Sequence, residues 1–389
     1  MAASFSLTCS SKDKMKIGFD AKRAFHNFRG LGNYSRTTIE GLCKYYPEHQ
    51  YYLYTPPINS SSKVSWRETI PATKIIEPSG IFSKALPSLW RSLAISSLII
   101  RDNLDIYHGL SHELPVGIEK FRGKKIVTIH DLLFMRYPQN FATIDRIVYK
   151  KKFLHSCHVA DQVVAICGQT QNDIIEYLNV PTHKIKVVYQ GCNPIFFKRA
   201  SSYEKELIKK KYNLPSQFLL YVGALEPNKN ALSIIKALSI VNDKNISLAI
   251  IGKGERYKKI LQAEISKKGL GSRVIFLGNG VETAELPAIY QSATAMTFPS
   301  FFEGLGLPVI EALASELPVI TSQGSSLTEA GGPDTIYIDP HSKEELAAAI
   351  DRVSVSGALR ATMAQRGRSY VEQFSIQNCS DNLFNLYRS

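Results

Sequence analysis

With 389 residues the chain is longer than one typical core, and two domains are expected. Its 44 % hydrophobic and 21 % charged residues are ordinary for a globular enzyme, and no run of about 18 apolar residues is present to span a membrane. A formal net charge of +13 leaves nucleic acid, an anionic membrane and a phosphorylated substrate open as partners; six scattered cysteines with no C-x-x-C pair weigh against metal or disulfide frameworks and fit a reducing cytoplasm.

Residues 1–14, MAASFSLTCSSKDK, lack the apolar core of a secretory signal and are expected to form a disordered extension. KIGFDA (Lys16 to Ala21) reads as a short buried strand. It leads into RAFHNFRGLGNYSRTTIEGLCKYYP, where a Gly-x-Gly turn at Gly30 and Gly32 feeds an amphipathic helix beginning near Asn33. Such a turn is either an ordinary strand-to-helix connection or a backbone approach to phosphate, with Arg29 and Arg36 alongside. YYLYTP (Tyr51 to Pro56) is the next strand, and the serine-rich NSSSKVS after it is a loop. KALPSLWRSLAISSLIIRDNLD is an apolar helix with Lys84, Trp90 and Arg91 near its start; it either packs on the sheet or lies on a membrane surface.

DIYHGLSHELP (Asp105 to Pro115) is a strand leading to His108, His112 and Glu113, and KKIVTIHDLLFMRYP is a strand that runs into His130 and Asp131. A histidine at a strand end of an open parallel sheet sits where ligands bind. The adjacency of His112 and Glu113 argues against a zinc site completed by His108. ADQVVAICGQTQNDIIEYL gives a strand, a turn and a helix, with Cys167 read as a small hydrophobe, and KIKVVYQGCNPIFF closes the first half.

A basic helix over Ser201 to Tyr212 opens the second half. FLLYVGALEPNKNALSIIKALSIV follows as strand, glycine turn and helix, with Glu226, Pro227, Asn228 and Lys229 on the loop. A lysine there suits a diphosphate, being a compact mobile cation, although a solvated surface lysine fits the same pattern. SRVIFLGNGVETAELPAIYQSA is a strand followed by a loop holding Val281.

The densest stretch is TFPSFFEGLGLPVIEALA, Thr297 to Ala314. A β-type run ends at Ser300, and Pro308 marks a helix start at Leu307 or Pro308. Glu303 is expected on the loop and Glu311 in the first helical turn, flanking free N–H groups that suit an anion. Gly304 and Gly306 admit a ligand close to the backbone, and carboxylates accept hydrogen bonds from sugar or ribose hydroxyls. Beyond it lie two strand-loop units and two helices separated near Phe374 and Ser375.

The whole string resembles the Glu, seven residues, Glu motif of retaining glycosyltransferases of family four, and the resemblance covers nearly all of residues 15 to 389. Alternating strands and helices already point to two doubly wound α/β domains. The resemblance implies the GT-B form of that fold class, with Rossmann-like parallel-sheet domains facing across a cleft. Residues 15–195 would form the acceptor-side domain, 196–375 the nucleotide-sugar domain, and 376–389 a final helix returning to the first.

The same resemblance implies the site. Glu303 would hold hydroxyls of the transferred sugar, Lys229 the diphosphate, and His130 the donor sugar or the acceptor. Donor binding would fall to Gly30, Gly32, Asn228, Gly304, Leu305, Gly306 and Leu307, with Glu311 on the ribose and Val281 at the base. Asn228 stands where arginine is usual in that family, and Ala224 where some members have arginine, so the expected phosphate clamp is one or two cations short. The leaving phosphate would accept the acceptor's proton, and no metal or cofactor is called for beyond a GDP- or UDP-linked substrate. The expected activity is hexose transfer, with mannose as the named candidate, to a glycan or lipid-linked acceptor of a cell-surface polysaccharide. It would take place in the cytoplasm, with peripheral contact to the anionic inner face of the cell membrane and no nucleic-acid partner. A nucleotide-sugar epimerase or hydrolase is the alternative, and a polyanion-binding protein a remote one.

Overall fold

The computed structural model describes residues 14–27, 30–58, 66–70, 73–78, 90–91, 95–278 and 280–389, the side chain of Asn140 excepted. The expected extension up to residue 13, Arg29, the loop 59–65, Lys84 and Asn279 lie outside the described residues.

The strands fall into two sheets. The first holds β1 (Lys16–Asp20), β2 (Gln50–Tyr54), β3 (Thr73–Ile76), β4 (Ile106–Gly109), β5 (Lys124–Ile129), β6 (Gln162–Ala165) and β7 (Ile185–Val187). The second holds β8 (Phe218–Val222), β9 (Ser247–Ile251), β10 (Val274–Phe276), β11 (Ala295–Phe298), β12 (Val319–Ser322) and β13 (Ile336–Ile338). Their orders are β3-β2-β1-β4-β5-β6-β7 and β10-β9-β8-β11-β12-β13. Every pairing between these strands is parallel, with Phe19 opposite His108 in the first sheet and Met296 opposite Leu220 in the second.

The composition of the strands explains the arrangement. FLLYV, SLAII and AMTF are apolar without alternation, as strands covered by helices on both faces must be. Each sheet is therefore a doubly wound, Rossmann-like layer whose strand order reverses beside its first strand, at β1/β4 and at β8/β11. The loops leaving the carboxyl ends of those four strands are where ligand-contacting side chains collect in such sheets.

By contact the chain forms two units. Unit 1 takes the described residues within Met1–Ile166, Thr170–Gly191 and Cys379–Ser389; unit 2 takes Cys167–Gln169 and Cys192–Asn378. In unit 1 an apolar core joins Tyr54, Ile95, Ile99, Tyr107, Val127, Ile129, Val163 and Ile174. Unit 2 opens with the helix Ser202–Tyr212. Its start is fixed by a capping box, in which the Ser201 hydroxyl accepts from the Glu204 N–H and the Glu204 carboxylate accepts from the Ser201 N–H.

Two local expectations are corrected, and one that had left two alternatives open is described further. The helix expected from Asn33 begins at Gly30, so Gly30 and Gly32 are helical residues of its first turn. Glu311 is the fifth residue of the helix Leu307–Ala314 and so lies beyond its first turn. The apolar helix around Trp90 packs against unit 1 in its described part, with Trp90, Ile95 and Ile99 buried in the core, while Ile100 keeps 42 % exposure.

Candidate active-site elements

In unit 2 two loops meet at the carboxyl ends of β8 and β11. Beyond β11 the chain runs through Ser300 and Glu303 to Gly306, whose φ of +88° turns it into the helix Leu307–Ala314. An added Cβ at Gly306 would lie 2.8 Å from Leu327 Cδ2, so backbone angle and space both call for glycine. Pro308 occupies the first turn, where its missing N–H leaves no gap in the helix. Beyond β8 the chain makes one 3₁₀ turn at Pro227–Lys229.

The two loops are tied together by backbone. The Asn228 carbonyl accepts from the Phe301 N–H at 2.9 Å and from the Ser300 hydroxyl at 3.1 Å. The Ser326 hydroxyl donates to the Glu303 carbonyl at 2.9 Å. So anchored, the Lys229 ammonium donates to both oxygens of the Glu303 carboxylate, at 2.7 and 2.6 Å. The side chains keep 20 % and 10 % exposure, low enough to strengthen the pair and high enough for a solute to reach it. Gly304, Leu305, Gly306 and Leu307 continue directly from this pair into the helix N-terminus.

Glu311 has a different setting. The Tyr290 hydroxyl donates to its Oε2 at 3.0 Å, and burial pushes the carboxyl up to about 7 although that hydrogen bond pulls the other way. Some of the residue remains exposed, but the carboxyl itself is closely surrounded by protein. Val281 stands apart from this group, on the loop after β10, the outermost strand and two strands from β8. There the neighbouring Gly280 carbonyl accepts from Tyr212 at 3.3 Å.

In unit 1 His130 follows β5 and is buried. Its Nε2 lies 2.9 Å from the Leu110 carbonyl, which only accepts, so Nε2 carries the proton and Nδ1 is an acceptor. Burial lowers the imidazole to about 4 and keeps it neutral, against the weaker opposing effect of that carbonyl. The rings of Tyr34 and His112 stand edge-on to it, with centroids 4.5 and 5.0 Å away. The Tyr34 hydroxyl meets Thr128 Oγ1 at 3.0 Å, and His108 Nε2 reaches the same oxygen at 2.8 Å. Asp131 accepts from the Leu133 N–H at 3.1 Å, a local turn contact.

The two expected phosphate glycines differ. A Cβ on Gly32 would fall 1.7 Å from the Asn27 carbonyl oxygen, so this glycine serves the chain's own packing. A Cβ on Gly30 would meet nothing within 4 Å, and Gly30 is exposed. Arg36, expected beside an anion, instead donates to the carbonyls of Ala24 and Asn27 at 2.7 and 2.9 Å.

Sequence reasoning missed a second polar assembly in unit 1. Asp20 ends β1, Glu113 follows β4, and the Arg91 guanidinium lies between them at 2.7 and 2.8 Å. Burial alone would lower Arg91, but the two carboxylates hold it well above its ordinary range. Lys152 reaches Glu113 at 3.1 Å, and these groups line a cavity of about 240 Å³ together with Lys151 and His155. Its place at the β1/β4 reversal was available from the strand order alone. Tyr290, which holds Glu311, carried no such signal.

Comparison with known proteins bears on both units. A family model described as Glycosyltransferase Family 4 matches residues 28–195, and one described as Glycosyl transferases group 1 matches residues 204–370. O-antigen chain mannosyltransferase B of Escherichia coli is 28 % identical over 294 residues, 74 % of this chain and 76 % of that protein. O-antigen chain mannosyltransferase RfbU of Salmonella typhimurium is 26 % identical over 315 residues, 80 % of this chain and 81 % of that one. Among solved structures, HepE of Anabaena with UDP and glucose has a TM-score of 0.75 at 18 % identity, covering 96 % of this chain and 99 % of that one. A glycosyltransferase from Rickettsia africae has a TM-score of 0.76 at 19 % identity, covering 97 % and 98 %.

Proposed function

Because this chain belongs to the family-four-like glycosyltransferases of the GT-B fold, we propose that it transfers a hexose, with mannose the leading candidate, from a nucleoside diphosphate sugar to a hydroxyl of a glycan or lipid-linked acceptor. The observation that carries this reading is the Lys229–Glu303 pair, held at the carboxyl ends of β8 and β11 beside a helix N-terminus. A sugar joined to a diphosphate would divide the pair by chemistry: anionic oxygens take the ammonium, and sugar hydroxyls donate to the carboxylate. Likeness to two O-antigen mannosyltransferases favours mannose, and hence a GDP-linked donor, for the synthesis of a cell-surface polysaccharide.

In the proposed reaction the bond from the anomeric carbon to the diphosphate oxygen breaks. The acceptor oxygen bonds to that carbon on the same face, so configuration is retained, and its proton passes to the leaving phosphate. Charge developing on the diphosphate is met by Lys229 and by the N–H groups at the start of the helix Leu307–Ala314, electrostatic stabilisation of the kind that dominates many enzymes. Glu311, oriented by Tyr290 through Oε2, would offer Oε1 to a ribose hydroxyl. Val281 is assigned to the base and Gly30 to the donor phosphates. Neutral His130 would accept a hydrogen bond from a sugar or acceptor hydroxyl at Nδ1. No metal is assigned a role, and EDTA is expected to leave turnover unchanged.

The test is a thermal-shift and product assay of the purified chain with GDP-mannose, UDP-glucose and an ADP-sugar. GDP-mannose should raise the unfolding midpoint, and Glu303→Ala and Lys229→Ala should abolish the shift or the turnover. If no nucleotide sugar stabilises the protein, the reading is wrong. Free sugar released without an acceptor would move it to a hydrolase.

A further inference from the structure

The loop that leaves β4 carries a histidine that the proposed reaction does not use. His112 has a φ of +66°, in the left-handed region that residues other than glycine seldom enter. Seven such residues occur among the described ones, and four of them are asparagines: Asn103, Asn179, Asn213 and Asn230. Asparagine or glycine would serve a turn that needed only the backbone angle. Strained backbone of this kind clusters at ligand sites, where the side chain and not the turn is what is needed. The surroundings fix the ring. The His112 N–H donates to the Thr128 carbonyl of β5 at 2.9 Å, and the His130 N–H donates back to His112 Nδ1 across a longer 3.4 Å. The His112 ring stands edge-on to Phe153 and to His130, with centroids 4.6 and 5.0 Å away.

Burial pushes the His112 imidazole well below its ordinary range, with His130 and Arg23 acting in the same direction, so the ring is neutral. A backbone N–H only donates, so Nδ1 is the bare nitrogen of His112 and Nε2 carries the hydrogen. No group among the described residues meets that N–H, yet His112 is partly exposed and its Nε2 is not sealed in the interior. His130 has the opposite arrangement: its Nε2 hydrogen goes to the Leu110 carbonyl, and Nδ1 is left to accept. Two neighbouring neutral rings at the ends of β4 and β5 thus present one donor and one acceptor. An ionised phosphate or carboxylate could only accept and an ammonium could only donate, whereas hydroxyls do both.

We propose that His112 is a second sugar-binding residue of unit 1, donating from Nε2 to a hydroxyl oxygen of the same sugar that gives a hydroxyl hydrogen to His130 Nδ1. The inference rests on the proposed transfer reaction and deepens it. The ligand is a sugar with neighbouring hydroxyls, and its two sources, the hexose of the donor and a sugar of the acceptor, are separated by the choice of probe.

The experiment is titration calorimetry of the full chain with GDP-mannose, with GDP and with methyl α-mannoside. His112→Phe keeps a ring against Phe153 but has no donor. His112→Asn suits the left-handed backbone but falls short of the Nε2 position, so it guards against a phenylalanine variant that fails to fold. His112→Gln carries an amide N–H to about the reach of Nε2. The phenylalanine and asparagine variants should lose about tenfold in affinity for a sugar probe and bind GDP like the parent, and His112→Gln should stay within about threefold of the parent. A loss confined to GDP-mannose places the sugar on the donor, and a loss for methyl α-mannoside places it on the acceptor. Parent-like binding of both sugar probes by the phenylalanine and asparagine variants overturns the proposal. So does an equal loss for GDP, which would make His112 a structural residue, and so does a parent that binds neither sugar probe. GDP binding by the parent, measured separately, reports on the transferase reading alone.

Discussion

Lys229 and Glu303 neutralise each other at a position that solvent still reaches, so the effect of removing one depends on what is left behind. Lys229→Met strands a largely buried carboxylate and should cost about 1–3 kcal/mol, toward the lower end because of the residual exposure. Adding Glu303→Gln should recover part of that loss, since the two groups act as a unit. Urea denaturation of both singles and the double variant measures this, and equal, additive losses would mean that the pair is not coupled. In the transfer reaction the single Lys229 variant should lower turnover by roughly 10²–10³. Glu311 gives a pH signature instead. Its carboxyl, pushed up to about 7, is mostly protonated at pH 6 and mostly ionised at pH 8. Only the ionised form accepts freely from a ribose diol, so nucleotide affinity should tighten by about tenfold from pH 6 to pH 8. Titration calorimetry should show this slope in the parent and a flat profile in Glu311→Gln. A slope that persists in the variant would assign the titration to another group.

At the scale of elements, the start of the helix Gly30–Tyr45 separates a packing glycine from a candidate ligand glycine. Gly32→Ala forces a methyl onto the Asn27 carbonyl and should lower the unfolding midpoint by several degrees; Gly30→Ala, with open space around it, should leave the midpoint unchanged or slightly raised. If Gly30→Ala also binds nucleotide sugar like the parent, the backbone approach assigned to Gly30 is wrong. The expected start at Asn33 followed from glycine's poor helix propensity, which tertiary contacts override here: Arg36 ties the helix to the Ala24 and Asn27 carbonyls. Elsewhere sequence patterns read well for a physical reason. A central parallel strand such as FLLYV must be apolar on both faces, and a Gly306-Leu307-Pro308 junction allows little besides a helix start. What stayed hidden were contacts set by the fold rather than by spacing. Tyr290 reaches Glu311 across 21 residues, and Arg91 reaches Asp20 across 71.

At the scale of the whole molecule, unit 1 is built from separated stretches of sequence: those that carry its sheet, and Cys379–Ser389, which packs with them. The helix Ile376–Arg388 brings polar and apolar ties together. Tyr387 Oη lies 2.7 Å from His108 Nδ1, the Tyr46 hydroxyl donates to Asp381 at 2.7 Å, and the Phe384 ring stacks on Tyr46 at 3.8 Å. His108 sits fully buried in the centre of its sheet, and burial lowers it to about 3, so it is neutral and its two ring nitrogens need one donor and one acceptor. Thr128 meets one nitrogen and Tyr387 the other. Tyr387→Phe leaves a buried ring nitrogen without its partner, which should cost about 1–3 kcal/mol. For a unit of this size that lowers the midpoint by roughly 2–12 °C. A chain ending at Asn378 loses the Tyr46, Lys124 and His108 contacts together, and exposes the apolar surface that Phe384 and Leu383 cover. Calorimetry of that truncated chain should show unit 1 unfolding well below unit 2, as a separate transition. A synthetic peptide of residues 376–389 should restore part of the difference by binding the folded form of unit 1. A single transition at the parent temperature would show instead that the last helix decorates unit 1 without holding it.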